Sequence, residues 1–181
     1  MELDILHFFA DMHGTFFDNI VLFITKLGDA GIFWIALALF MLCFKNYRKA
    51  GAGMAVSLLF SLLFTNIVLK NLVARVRPFN ADPSLDNLVH EDSWSFPSGH
   101  TSASFAAALS LICYHKKEGI AAVVLATLIG LSRIYICVHY PTDVLGGVVV
   151  GALSAFLSVL VIKFVSEKMG AKKNGNTTVS K

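Results

Sequence analysis

The chain has 181 residues, of which 56% are hydrophobic and only 15% are charged, and its formal net charge is +3. A soluble domain usually has about 25% charged and about 45–50% apolar residues, so this composition excludes an ordinary soluble domain. Because one bilayer crossing takes roughly 20 apolar residues, we expect an all-α bundle of five to six transmembrane helices. Residues 1–168 are predicted to form one membrane domain, and residues 169–181 a disordered cytoplasmic tail.

The N-terminal segment mixes apolar and polar residues at helical spacing. This pattern favours an amphipathic helix in the membrane interface over a complete crossing. The recurring apolar residues are Phe16, Ile20, Phe23 and Leu27, and the polar residues that interrupt them are Asp18, Asn19 and Lys26.

Apolar segments then alternate with polar loops. Residues 31–44 form a short apolar segment, which is long enough to cross only if it includes residues before Asp29. Further crossings are predicted at residues 50–69, 101–114, 119–138 and 144–165. In the last of these, Gly147, Gly151 and Ala155 lie four residues apart and predict close helix packing.

The charge of the loops predicts the orientation in the membrane. Basic residues concentrate in three alternate connections, at residues 45–49, 116–117 and 168–173. The excess of lysine and arginine on cytoplasmic loops places these three on the cytoplasmic side. The loops at residues 70–100 and 139–143 are then expected to meet on the outer side.

Lys70 and Arg77 form the first candidate cluster. They are seven residues apart, which corresponds to two helical turns, so both are predicted to leave one face of the second span. Pro78 is expected to end that helix. Taken alone, a lysine and an arginine at a membrane boundary commonly extend to lipid head groups.

The second cluster is the sequence Pro97-Ser98-Gly99-His100, directly before an alanine-rich span. Ser98 is predicted to cap the helix, and Gly99 lets backbone amides approach a ligand. A helix N-terminus with free amides favours an anion. His100 lies at that positive end, although an ordinary interfacial histidine fits this position equally well.

The third cluster comprises Arg133, His139 and Asp143. Arg133 is a full charge near the end of an apolar span, which is costly unless the charge is paired or used. His139 and Asp143 are four residues apart, so a carboxylate can reach the imidazole and orient it. A role for Asp143 as a helix cap is compatible with this function.

Together the clusters supply three cations, two histidines and one carboxylate in a chain poor in charge. Phosphoryl transfer requires this combination. Cations and amides neutralise the phosphoryl oxygens, a nucleophile attacks the phosphorus, and an acid protonates the leaving oxygen.

The motifs Lys70-x6-Arg77-Pro78, Pro97-Ser98-Gly99-His100 and Ser132-Arg133-x5-His139-x3-Asp143 resemble the three signature motifs of the type 2 phosphatidic acid phosphatase (PAP2) family. The resemblance implies that His139 is a nucleophile forming a phosphohistidine, that Asp143 orients it, and that His100 is the general acid and then the base. It implies no metal and no cofactor, and the sequence has no acidic cluster suited to Mg²⁺. The implied phosphate-binding residues are Lys70, Arg77, Ser98, Gly99 and Arg133.

The resemblance also implies a substrate class, a membrane lipid carrying a phosphate or diphosphate. Undecaprenyl pyrophosphate, cleaved to undecaprenyl phosphate, is the favoured expectation, on the outer face of the cell membrane. Phosphatidylglycerophosphate or phosphatidic acid, phosphate transfer between two lipids, and a non-catalytic lipid-binding protein stay open as alternatives. No nucleic-acid partner is expected, and the sequence does not indicate an oligomeric state.

Overall fold

The computed structural model describes the backbone of residues 1–178 and the side chains of residues 1–169. Every regular element of the described chain is a helix, which confirms the predicted all-α class. A π-helical stretch, Leu63–Leu69, joins α4 to α5, and a 3₁₀ turn, Asp29–Gly31, precedes α3. The α-helices are α1 (Glu2–Ala10), α2 (Phe16–Lys26), α3 (Ile32–Leu42), α4 (Arg48–Leu62), α5 (Lys70–Val73), α6 (Pro78–Ala81), α7 (Gly99–Ile112), α8 (Lys116–Tyr135) and α9 (Pro141–Thr178).

Four segments of the described chain are long and apolar enough to cross a membrane, namely Phe16–Leu42, Arg48–Ala81, Lys116–Tyr135 and Pro141–Met169. Helix α7 makes a further passage between the two ends of the bundle with only 14 residues. The predicted tail at residues 169–181 overlaps the last part of α9 and falls largely outside the described side chains, so its disorder stays a prediction.

Helices α2 and α3 join into one apolar segment, which differs from the predicted separate interfacial helix. The two are linked across a kink where Ala30 and Gly31 have positive φ angles of 48° and 67°. Of the polar residues that made α2 resemble an interfacial helix, Asn19 and Lys26 are exposed and Asp18 turns inward. Asp18 accepts a 2.8 Å hydrogen bond from the Tyr135 hydroxyl, and the buried Thr25 contacts α8.

Helix α7 lies at the centre of the bundle, where it packs against α4, α8 and α9. The predicted glycine stripe of α9 makes this packing possible. A Cβ atom at Gly147 would come within 2.8 Å of the Ser98 carbonyl oxygen, and one at Gly151 within 2.7 Å of the Phe105 Cβ. These contacts are closer than side chains tolerate, so both glycines are required for the backbones to approach.

The loops that connect the helices lie at the two ends of the bundle. At one end, Tyr47 before α4 stacks on His115 before α8, with ring centroids 4.2 Å apart. At the other end, Arg77 donates a 2.9 Å hydrogen bond to the Val138 carbonyl, and the Ser98 amide donates one of 3.0 Å to the Asp143 carbonyl. The two loops that the charge pattern predicts on one side therefore lie together.

Helix α1 covers the second of these ends. Its buried Leu6 packs with Leu85, Cys137 and Tyr140, which belong to the connections before α7 and before α9. The exposed side of α1 carries both charged and apolar residues, including Asp4 and Phe8, of which Phe8 is 64% exposed. Helix α1 thus contacts the loops before α7 and before α9 through Leu6.

Candidate active site

Lys70 and Arg77 do not leave one helical face, so this prediction was wrong. Helix α5 ends because Ala74 adopts the left-handed conformation, with φ 45° and ψ 43°. Pro78 begins α6 instead of ending a helix, since a first helical residue needs no N–H. The two cations still converge, because Lys70 Nζ and Arg77 Nη2 both donate to Ser93 Oγ, at 2.7 and 3.1 Å.

Arg77 is a buried cation, 2% exposed. Its Nε donates to the Ser93 carbonyl at 2.6 Å, and its Nη1 donates to the Val138 carbonyl at 2.9 Å. A buried charge is tolerated only when hydrogen bonds replace its hydration. These contacts fix the plane of the guanidinium, with Nη1 3.4 Å from His139 Nε2.

His139 lies in the connection between α8 and α9 and is 1% exposed. Its Nδ1 is 3.4 Å from Asp143 Oδ2, while its Nε2 faces Arg77. Because a guanidinium only donates, the geometry assigns the ring proton to Nδ1 and leaves a lone pair on Nε2, directed at the cations. Burial lowers the pKa of His139 to about 3, against the opposing effect of Asp143, so the ring is neutral near pH 7.

Asp143 is fully buried in the first turn of α9 and accepts a dense set of hydrogen bonds. Its Oδ2 accepts from Ser95 Oγ at 2.5 Å and from the Tyr140 amide at 2.9 Å. Its Oδ1 accepts from Arg75 Nη1 at 2.7 Å. The sequence predicts the pairing with His139, but it does not predict the contacts with Arg75 and Ser95.

Arg133 is 1% exposed in the last turn of α8. Its Nη1 donates to Thr25 Oγ1 at 2.7 Å, and its Nη2 donates to Glu91. Its Nε is buried without a hydrogen-bond partner in the described part of the chain. This side chain thus meets the sequence expectation that a charge in an apolar span is paired.

Glu91 bridges the two buried arginines. Besides its bond with Arg133, it accepts from Arg77 Nη2 at 3.3 Å. Burial works to raise the pKa of Glu91, but Arg133 and Arg77 outweigh burial and lower it, so the carboxylate stays ionised. A planar anion that takes donors from two arginines makes the contacts that a phosphoryl group would make.

Ser98 and His100 begin α7. Ser98 caps the helix as predicted, since its Oγ accepts from the Thr101 amide at 3.4 Å and from the Thr101 hydroxyl at 2.9 Å. His100 Nε2 lies 2.8 Å from Asp29 Oδ1, beside the kink before α3. The approach depends on Gly28, where a Cβ atom would come within 2.7 Å of the His100 ring.

A cavity of about 550 Å³ extends from these groups between α3 and α4. One end of the cavity is polar and the rest is apolar, so it can hold a charged head and a hydrocarbon chain together. The polar end includes Lys70, Arg77, Glu91, Gly99, His100 and His139, and the apolar wall includes Ile35, Leu39, Leu58, Leu59 and Leu62.

The structure brings together the site residues of all three predicted clusters. Lys70, Arg77 and His139 line one cavity with Gly99 and His100, Asp143 contacts His139, and Arg133 reaches the group through Glu91. Arg75, Glu91 and Ser95 also belong to the site and were missed. Arg75 and Glu91 are charged residues in a loop at a membrane boundary, which was the available signal, but no motif distinguishes them from their neighbours.

Comparison with known proteins identifies similar sequences. The family model described as the PAP2 superfamily matches residues 50–167. The undecaprenyl-diphosphatase of Sulfolobus acidocaldarius is 31% identical over 146 residues, which are 80% of this chain and 70% of that protein. The phosphatidylglycerophosphatase B of Bacillus subtilis is 44% identical over 124 residues, 61% of this chain and 58% of that protein.

A solved structure has the same arrangement of helices. The crystal structure of a transmembrane PAP2 type phosphatidylglycerolphosphate phosphatase from Bacillus subtilis superposes with a TM-score of 0.72 and 31% identity, covering 92% of this chain and 85% of that one.

Proposed function

The chain belongs to the PAP2 superfamily, and we propose that it is a metal-independent membrane phosphatase that cleaves a lipid phosphate through a phosphohistidine at His139. The observation that carries this proposal is the orientation of the His139 ring. Its Nε2 lone pair faces the Arg77 guanidinium at 3.4 Å, and its Nδ1 faces Asp143. A neutral, oriented imidazole beside fixed cations is suited to attack a phosphoryl group.

In the first step the phosphoryl group replaces the Glu91 carboxylate between Arg77 and Arg133. Lys70 contributes a third positive charge, and the amides at Gly99 complete the binding of the phosphoryl oxygens. His139 Nε2 forms a bond to phosphorus while the bond to the leaving lipid oxygen breaks. His100 donates a proton to that oxygen, and Asp143 stabilises the positive ring of the phosphohistidine.

In the second step water attacks the phosphorus of the phosphohistidine. His100, which has lost its proton, accepts one from that water as its oxygen bonds to phosphorus. The phosphorus–nitrogen bond breaks, inorganic phosphate leaves, and His139 returns to its neutral form. A lipid acceptor in place of water would make the protein a phosphotransferase.

The substrate that we propose is a lipid, because the cavity continues from the cations along the apolar wall of α3 and α4. Undecaprenyl pyrophosphate is the first candidate, supported by the relative named for that diphosphatase. Phosphatidylglycerophosphate is the second, favoured by the higher identity with phosphatidylglycerophosphatase B. The basic loops at the far end support a site on the extracytoplasmic side of the cell membrane.

Metal independence is part of the same proposal. The binding end of the cavity offers two arginines and a lysine where a metal-dependent phosphatase offers carboxylates to a cation. Among residues 1–169, whose side chains the structure describes, no group of three or more His, Cys, Asp or Glu side chains is arranged to hold a metal ion. Phosphate release is therefore expected to be the same before and after treatment with EDTA.

The decisive experiment is phosphate release by the purified protein in detergent. We expect release of free phosphate from undecaprenyl pyrophosphate, phosphatidylglycerophosphate or phosphatidic acid, compared by kcat/KM, and loss of steady-state turnover in His139→Ala. Substantial turnover by a folded His139→Ala variant contradicts the covalent mechanism. Phosphate that appears only on a second lipid indicates the phosphotransferase, and no turnover of any kind indicates a lipid-binding protein.

A further inference from the structure

Arg75 contacts the Asp143 carboxylate from the side opposite His139. Its Nη1 donates to Asp143 Oδ1 at 2.7 Å and to Thr142 Oγ1 at 2.7 Å. Its guanidinium carbon also lies 3.8 Å from the centre of the Tyr140 ring. Arg75 occupies a variable position of the first motif, between Lys70 and Arg77, and the mechanism above assigns it no role.

Glu2 in α1 completes this arrangement. One of its carboxylate oxygens accepts from Arg75 Nη2 at 2.8 Å. The other accepts from the Thr142 amide at 3.1 Å and from the Thr142 hydroxyl at 2.7 Å. Glu2 therefore holds both the guanidinium and the first turn of α9, and it fixes the position of Arg75 relative to Asp143.

The two oxygens of Asp143 have separate partners. Oδ2 faces His139 and accepts from Ser95 and the Tyr140 amide, whereas Oδ1 accepts from Arg75. A carboxylate held at one oxygen can still turn about its Cβ–Cγ bond, and contact at the second oxygen prevents this. The direction in which Oδ2 approaches the His139 ring thus depends on Arg75.

We infer that Arg75 is a positioning residue that aligns Asp143 with His139, and that Glu2 holds Arg75 in place, so that helix α1 supports the active site. This inference rests on the proposed phosphohistidine mechanism. It extends that mechanism to the N-terminal helix, which the three motifs do not include.

Arg75 also affects the charge that His139 experiences. The ionisable groups that face the Asp143–His139 pair come from six parts of the fold. Replacing Arg75 by a neutral residue leaves Asp143 with less positive charge nearby, which raises the pKa of His139 and moves the acid limb of kcat/KM to higher pH. The facing groups are Glu2 of α1, Lys70 of α5, Arg75 and Arg77 before α6, Glu91 before α7, Arg133 of α8, and Tyr140 before α9.

The test compares Arg75→Gln, Arg75→Lys and Glu2→Gln with a charge-matched control, Arg48→Gln. Arg48 is an exposed arginine at the other end of the bundle and donates to the Leu42 carbonyl. Each variant is purified in detergent, and its folding is checked by thermal unfolding. Phosphate release is then measured as kcat, KM and the pH profile of kcat/KM.

We expect Arg75→Gln to lower kcat about ten- to a hundredfold, the range for losing a charge-assisted hydrogen bond, with KM changed less than about threefold. The acid limb of kcat/KM, which lies below about pH 5 in the unmodified protein, should move up by about one pH unit in this variant. Arg75→Lys should recover part of kcat, since an ammonium reaches Asp143 but cannot also reach Glu2 and Thr142. Glu2→Gln should lower kcat several-fold without raising the acid limb, and Arg48→Gln should match the unmodified protein.

A folded Arg75→Gln variant with unchanged kcat and pH profile overturns the inference. A fall in kcat with no shift of the acid limb and no recovery in Arg75→Lys also overturns it, because a purely structural contact predicts that result. If Arg75→Gln does not fold, Glu2→Gln decides, and wild-type kcat in that variant rejects the role of α1. The proposed function fails separately, when the unmodified protein releases no phosphate or His139→Ala stays active.

Discussion

Replacing Arg133 by lysine keeps the positive charge at the end of α8 but removes the planar fork of the guanidinium. In the structure Nη1 donates to Thr25, Nη2 donates to Glu91, and Nε has no partner among the described residues. A lysine ammonium is a single point of contact and cannot reach both Thr25 and a phosphoryl group. Arg133→Lys therefore loses at least one charge-assisted hydrogen bond.

The expected decrease in kcat/KM follows from the number of hydrogen bonds lost. A hydrogen bond to a charged group contributes about 1.5–3 kcal/mol, so losing one bond to the transferring phosphoryl group should lower kcat/KM about ten- to a hundredfold. Arg133→Ala should lower it further, because it also removes the charge and leaves the half-buried Glu91 carboxylate with one arginine fewer.

The assay measures phosphate release from a lipid substrate in detergent, together with the inhibition constant of inorganic phosphate. Thr25→Val is the matched control, since it removes the hydroxyl bonded to Arg133 Nη1 and keeps the volume and the cation. Thr25→Val should lower kcat/KM about tenfold or less, which corresponds to the loss of one hydrogen bond that does not involve the reacting groups. If Arg133→Lys stays within about twofold of the unmodified kcat/KM, the fork of the guanidinium does not bind the phosphoryl group, and the assignment of Arg133 is wrong.

Three further predictions concern Glu91 and His139. Glu91→Gln removes the carboxylate that bridges Arg77 and Arg133. Inorganic phosphate should therefore inhibit this variant at a several-fold lower concentration than it inhibits the unmodified protein. An unchanged inhibition constant would show that Glu91 and phosphate do not compete for the two arginines. The pKa of His139 is lowered to about 3 from 6.5, so kcat/KM should show no acid limb from this residue between about pH 5 and 8. The lowered pKa of His139 also predicts that the free energy of unfolding in detergent decreases as the pH falls below 6.5, because only the unfolded chain then binds a proton at His139. A midpoint temperature of thermal unfolding that does not fall on acidification would contradict the burial of His139.

The sequence predicts which side chains meet in the site better than it predicts the path of the chain that brings them there. His139 and Asp143 were predicted to pair because they are four positions apart, and the tight turn that leads into α9 brings them together. For Lys70 and Arg77 the same argument failed. The left-handed Ala74 ends α5 between them, and alanine carries no local signal for that conformation.

Local sequence patterns do not predict contacts between residues that are far apart in the chain. Glu2 and Arg75 are 73 positions apart, and Thr25 and Arg133 are 108 positions apart. Spacing within a helix predicts neighbours three or four residues away, and neither pair has such a spacing. Polar residues in α2 consequently indicated a membrane interface, although the fold directs Thr25 into the site.

The shortness of α7 determines how deep the site lies in the membrane. Fourteen helical residues rise about 21 Å, which is less than the roughly 30 Å of a hydrocarbon core. With the C-terminal end of α7 at one interface, Gly99 and His100 lie about 9 Å inside the level of the other. Under the proposed function, a lipid phosphate would therefore reach His139 by moving inward within its own leaflet, with its hydrocarbon chain along the apolar wall of the cavity. In the proposed mechanism, the water of the second step would have to reach that depth from the aqueous side.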